Sequence, residues 1–161
     1  SITRRKILKL KDVKEAEVIV VGAGNAALCA ALAAKDAGAS PVVLETAHFA
    51  EIAQTFLAVR VSNLYVVDGA GRFRGVVSLH DIKPYLGEPE LADLVLARDI
   101  LHEDFPSVAP EQPLAEALGK FLGISAERIP VVDGDGVLRG SLAKGDLLLA
   151  LVERRRPVPG A

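Results

Sequence analysis

Shifted by 65 positions, residues 41–86 of this 161-residue chain fall on residues 106–151 without a gap, and fifteen of the paired positions are identical. The identities begin at Pro41/Pro106 and Val43/Val108 and run through Ala50/Ala115, Glu51/Glu116, Phe56/Phe121 and Leu57/Leu122 to Val66-Val67-Asp68-Gly69 over Val131-Val132-Asp133-Gly134. Gly71/Gly136, Arg74-Gly75/Arg139-Gly140, Asp81/Asp146 and Leu86/Leu151 complete the set. A duplicated block of this kind sets two copies of one supersecondary unit against each other so that they complete a common core. Function is therefore expected at the seam between the copies.

Half of the residues are apolar, enough for a globular core. The formal charge of -2, with both signs mixed along the chain, provides no general field for nucleic acid or an anionic membrane. The basic stretches at residues 4–14 and 154–156 read as solvated charge. Cys29 is the single cysteine and has no internal disulfide partner, which fits a reducing compartment. The uncharged run 18–34 carries Gly22, Gly24 and Asn25 and follows acidic residues, so it suits neither a membrane span nor a signal peptide. A cytoplasmic location is the expectation. Three histidines and one cysteine without metal-ligand spacing, and no recognisable nucleophile motif, argue against an enzyme; His80 and His102 read as surface or cleft-edge residues.

Within each copy, β-prone stretches at 41–44 and 106–109 lead through a polar turn into a helix, capped by Thr46 or Ser40 in the first copy and opened by Pro113 in the second. Phe49, Ile52, Ala53, Phe56 and Leu57 recur at helical spacing, as do Leu114, Ala117, Leu118, Phe121 and Leu122, so each set is expected to face the core. Strands at 64–67 and 73–77, and at 129–132 and 137–142, flank Asp-Gly-x-Gly turns that favour hairpins. Helices at 81–86 and 146–152 close the copies. The order is β-α-β-β-α, twice.

These residues resemble a tandem pair of cystathionine-β-synthase-type (CBS) domains, or Bateman module, over residues 41–152. The signature is the Val-Val-Asp-X-X-Gly hairpin followed by Gly75-Val76-Val77-Ser78-Leu79-His80-Asp81. In the second copy, Gly140-Ser141-Leu142-Ala143-Lys144-Gly145-Asp146 keeps the aspartate and loses the hydroxyl. The resemblance implies an α/β (α+β) fold of two pseudo-two-fold-related repeats at 41–96 and 97–154, preceded by a strand-helix segment in 1–40 and followed by a tail at 155–161. Residues 63–86 are also similar to the cytosolic tail of bacterial ClC-type chloride channels, which implies a membrane channel domain as a partner.

Ser78 at a strand end and Asp81 three residues on, at a helix start, can face one cleft. The carboxylate can accept from vicinal ribose hydroxyls, each bond being worth about 1.5–3 kcal/mol, and the helix start favours phosphate. The alternative is a capping pair without a ligand. By resemblance, Ser78 and Asp81 face residues 101–108 and 126–130 of the second copy, including Ala126, Arg128 and Pro130. Asp146 faces Val61, Asn63 and Tyr65 in a weaker second cleft. The ligand implied is AMP, ADP or ATP, the partner a second copy of the chain docking through the CBS helices, and the function regulatory. A structural dimerisation module with empty clefts is the alternative. Residues 94–101 are expected to form an extended lead-in lining the slot.

Residues 17–45 present a second signature: Glu17-Val-Ile-Val-Val21, Gly22-Ala-Gly24-Asn-Ala-Ala27, an Ala/Leu helix and Glu45. This resembles the FAD-binding opening of a fumarate-reductase- or tricarballylate-type dehydrogenase, with Gly22, Gly24 and Glu45 as cofactor contacts. Everything after Glu45 follows the CBS pattern, and one βαβ unit does not enclose a dinucleotide, so a working FAD site is not expected. Residues 41–45 are claimed by both signatures. A strand near Val18, and Leu28 and Leu32 packed on the CBS core, are the expectations here.

Overall fold

Residues 18–21 and 40–155 are described by the computed structural model, and they form a mixed α/β fold. Strands β1 (Val18–Val21), β2 (Ser40–Leu44), β3 (Asn63–Val67) and β4 (Phe73–Ser78) make one sheet in that order, and β5 (Arg128–Val132) pairs with β6 (Leu138–Ala143) in a second hairpin. β1, β2 and β3 are mutually parallel, whereas both hairpins are antiparallel. The helices are α1 (Phe49–Val59), α2 (Leu79–Ile82), α3 (Pro89–Ala92), α4 (Ala97–Ile100), α5 (Leu114–Leu122) and α6 (Lys144–Arg155).

The sequence repeat is a structural repeat in fine detail. β3 and β5, and β4 and β6, are offset by the same 65 positions at both ends, and each hairpin carries a register shift at the matching place, Val66/Val67 and Val131/Val132. In the first turn Asp68 Oδ1 accepts from the N–H groups of Ala70 (2.9 Å) and Arg72 (3.0 Å), and in the second Asp133 Oδ1 accepts from those of Asp135 (2.9 Å) and Val137 (3.0 Å). Gly71 and Gly136 supply the left-handed residue each turn needs, at φ 79° and 82°.

The cores repeat as well. Val108, Leu114, Ala117, Phe121, Ile129, Val131, Leu142 and Leu147 form the second core, and their images Val43, Phe49, Ile52, Phe56, Leu64, Val66, Val77 and Ile82 all lie in the first. Leu for Phe49 and Ala for Ile52 make the second core smaller. Between the copies, Phe73 N–H donates to Gly136 O (2.8 Å) and Leu138 N–H to Gly71 O (3.0 Å). Each bond is the 65-position image of the other, so the hairpin tips meet about a pseudo-two-fold axis. Beneath them Val42, Tyr65, Val67 and Val76 pack with Phe73, Phe105 and Leu138 into a shared apolar cluster.

Several local expectations are corrected. Leu57 and Leu122 are each 79 % exposed, because at about 100° per residue they fall well off the stripe set by Phe49, Ile52 and Phe56 and its image in α5. Helix α1 is preceded by His48, whose N–H is accepted by Glu51 Oε2 (3.0 Å); Ser40 lies in β2 and Thr46 in a turn, so neither caps it. Residues 106–109 hold only one bridge, Val108 to Val131, the image of the Val43–Val66 pair, whereas the equivalent stretch of the first copy forms the strand β2. Residues 94–101 are not extended: Asp99 Oδ2 accepts from Leu96 N–H (2.9 Å), and α4 forms. The helix expected at 81–86 begins at Leu79 and gives way to a 3-10 turn, Lys83–Tyr85, around Pro84.

At the N-terminal side, the strand expected near Val18 is present as β1, and β2, the stretch that both signatures claim, pairs with β1 on one edge and β3 on the other. The glycine turn, the Ala/Leu helix with Leu28 and Leu32, and the tail at 156–161 lie outside the described residues. Among the described residues no helix is long and apolar enough to cross a membrane.

Candidate functional site

The best-defined polar cluster sits where β4 runs into α2. Ser78 ends the strand with extended backbone (φ -91°, ψ 157°) and caps the helix: Asp81 N–H donates to Ser78 Oγ (3.3 Å). In return Asp81 Oδ2 accepts from Ser78 N–H (2.7 Å) and from Ser78 Oγ–H (2.7 Å), a reciprocal box. The remaining oxygen, Oδ1, accepts from His102 Nε2 at 2.9 Å. The carboxylate can only accept, so the facing ring nitrogen is the protonated one. The Asp81 side chain is 18 % exposed and that of His102 57 %. Burial pushes the Asp81 carboxyl up, but the bonds from the Ser78 hydroxyl, the His102 ring and the Ser78 N–H together hold it below the usual aspartate value.

His102 is brought there by backbone. Val76 N–H donates to His102 O (3.1 Å) and His102 N–H to Val76 O (2.8 Å), which docks the chain entering the second copy against β4. The approach is so close that a Cβ on Gly75, whose φ is 153°, would collide with His102 O. Glycine is required here for space and for conformation. The strap is fastened further back by Arg98 N–H to Glu45 O (2.9 Å) and Ala97 N–H to Ala47 O (2.9 Å). Sequence reasoning placed His102 at a cleft edge without a partner; the glycine inside β4 was the available signal of a close backbone neighbour.

The second copy carries the same backbone frame with different chemistry. Lys144 N–H donates to Glu127 O (2.9 Å) just as Leu79 N–H donates to Ser62 O (2.9 Å). Ala143 stands in the position of Ser78 and has no side-chain acceptor, and Asp146 is exposed. Arg128, opposite Ala143 in the ladder, donates from Nε to Ser141 Oγ (2.8 Å) within its own copy. Ala126 and Pro130 are buried. In the first copy Asn63 lies opposite Ser78, Val61 is half-buried, and buried Tyr65 meets Phe73 edge-on at 6.1 Å. The second-copy residue that the structure brings onto Asp81 is thus His102, and Arg128 turns to Ser141. Glu45, the acid of the flavin-like signature, faces Arg74 (3.4 Å), so its carboxylate is engaged with the first copy's own β4. Helix α2 is a single turn, which makes it a weak phosphate anchor compared with the expectation. Among the described residues no group of three His, Cys, Asp or Glu side chains could hold a metal.

A β-α-β-β-α copy and a second copy whose first strand is reduced to the Val108–Val131 bridge are joined hairpin to hairpin, each with an aspartate at the start of its closing helix, and they define one tandem fold rather than two independent domains. The CBS domain family matches residues 39–88 and again 97–153, and the chain belongs to that family as a tandem pair. Among solved structures it is similar to a CBS domain pair/ACT domain protein from Thermotoga maritima, at 28 % identity over 73 % of this chain and 92 % of the other, with a TM-score of 0.61. It is also similar to CBSX2 solved in complex with AMP, at 27 % identity over 71 % of this chain and 89 % of the other, with a TM-score of 0.57. A CBS domain-containing protein from Bacillus anthracis shares the fold over 95 % of this chain and 99 % of its own, at 17 % identity and a TM-score of 0.66. No curated protein sequence matches the chain.

Proposed function

We propose that this chain is a regulatory module that binds an adenine nucleotide at the seam between its copies and passes the bound state to an attached protein. The observation that carries the reading is the Ser78–Asp81 box of the first copy lying in contact with His102 of the second. A ligand held there touches both copies, and so biases their mutual orientation by its differential affinity, typically about 1–3 kcal/mol of coupling. The structure of CBSX2 with AMP supports the ligand class. Asp81 would receive the ribose hydroxyls and Ser78 would lie near the phosphate, with Ala126, Arg128 and Pro130 in the wall contributed by the second copy. Asp146, with Val61, Asn63 and Tyr65, forms the weaker second cleft, because Ala143 removes the hydroxyl.

The exposed Leu57 and Leu122, which occupy equivalent helix positions, favour a second copy of the chain as a partner docking through α1 and α5. The likeness of residues 63–86 to the tail of ClC-type channels supports a membrane channel as the attached protein, with this module on the cytosolic face. Calorimetric titration with AMP, ADP and ATP tests the site. Asp81→Ala is expected to weaken binding about ten- to a hundred-fold, since a charge-assisted contact is worth about 1.5–3 kcal/mol, and Asp146→Ala far less. Equal losses would assign function to both clefts, and no loss from Asp81→Ala removes the site.

A further inference from the structure

We infer that His102 is a built-in competitor for the Asp81 carboxylate, an imidazole that closes the first cleft and must leave Asp81 Oδ1 before a hydroxyl-bearing ligand can take its place. The inference rests on the nucleotide reading above and adds its regulation. Of the two carboxylate oxygens, Oδ2 is held by the N–H and hydroxyl of Ser78, both within the same turn, and is fixed by the fold. Oδ1 has its close partner in His102, 2.9 Å away and 21 residues on in the chain. That oxygen is the one a ribose hydroxyl can reach.

The His102 backbone is pinned by both of its bonds to Val76, and the lack of a side chain at Gly75 lets the strap lie flat. The imidazole can therefore swing about its own side-chain torsions while the strap stays in place. Its 57 % exposure leaves room on the solvent side for the open position, whereas Asp81 is mostly covered and stays put. The closed pair is an exposed one and correspondingly modest in strength. Binding then proceeds from the open fraction only, and the apparent dissociation constant is the intrinsic one divided by that fraction. In the second cleft Asp146 is exposed, whereas Asp81 is mostly covered.

Titration calorimetry with AMP on the full chain, His102→Ala and His102→Gln tests the idea. His102→Ala is expected to bind AMP about three- to tenfold more tightly than the native chain, and His102→Gln, which keeps an N–H donor, to fall between them. A role in holding the fold alone would give weaker or unchanged binding, and either result overturns the inference. A ligand-free arm runs beside it: melting of His102→Ala, Asp81→Asn and the double variant. Non-additive shifts show the pair in solution, and additive shifts overturn it. If the pair is present and no protein binds AMP, the nucleotide reading fails and the competitor role falls with it. If AMP binds the native chain and His102→Ala equally, the nucleotide reading stands and the competitor role alone is lost.

Discussion

Replacing Gly75 by alanine tests the strap that holds the two copies in register. The added Cβ would meet His102 O and lie 2.8 Å from Leu101 Cδ1, at a φ of 153° that side chains avoid. Backbone strain of this sort costs about 1–3 kcal/mol. Relieving it by pushing the strap away sacrifices the two Val76–His102 bonds, each worth about 0.5–1.5 kcal/mol. Against this, alanine restricts the unfolded chain and returns about 0.4–1 kcal/mol. A net destabilisation of about 3 kcal/mol is expected, a substantial part of the 5–15 kcal/mol typical of a domain, and it should lower the melting temperature by about 6–12 °C. Urea unfolding with an unchanged m-value gives the free energy, and amide exchange at Val76 and His102 reports whether the strap has lifted. Gly134→Ala is the control: no atom lies within 4 Å of its Cβ position, so its effect should stay within about 0.5 kcal/mol. A Gly75→Ala loss below about 1 kcal/mol, with both amides still protected, would refute the close-approach argument.

Two further outcomes follow from the asymmetry of the copies. The Asp81 carboxyl is held below its unfolded value, so its contribution to stability is present above the unfolded pKa and is lost as pH falls through the folded one; the acid limb of a stability–pH curve should flatten in Asp81→Asn, and an unchanged limb contradicts the assignment. Ala143→Ser should restore the missing cap at the start of α6 and raise stability by about 0.5–1 kcal/mol, measured by thermal melting; a destabilised variant would mean that the helix start cannot take the hydroxyl.

Much of this fold was legible because the duplication checks itself. The Asp-Gly-x-Gly turns fix hairpin register in both copies, and eight core positions recur at one offset. The Ser78–Asp81 pairing was legible from spacing alone, since a three-residue separation at a strand-to-helix junction is capping geometry. The third member was not. His102 reaches Asp81 through a backbone bridge between segments whose separation has no local pattern, and only the glycine within β4 hints at it. Residues 94–101 misled because the extended lead-in was carried over from the family resemblance, whereas in this chain Asp99, three residues after Leu96, captures a free N–H and starts a helical turn. Leu57 and Leu122 misled because adjacent apolar residues on a helix do not share a face.

The reciprocal bonds between the hairpin tips, Phe73 to Gly136 and Leu138 to Gly71, give each tip one donor and one acceptor at the same spacing. A tip of this design is self-complementary: an identical tip, turned through half a revolution, satisfies both groups. Two separate chains each bearing a single unit could clasp in that manner about a true two-fold axis, as isologous dimers do. The tandem chain thus has the geometry of such a dimer with its two subunits joined end to end, and the join lets the halves diverge. One half could keep the serine while the other lost it, an inequality that identical subunits cannot have.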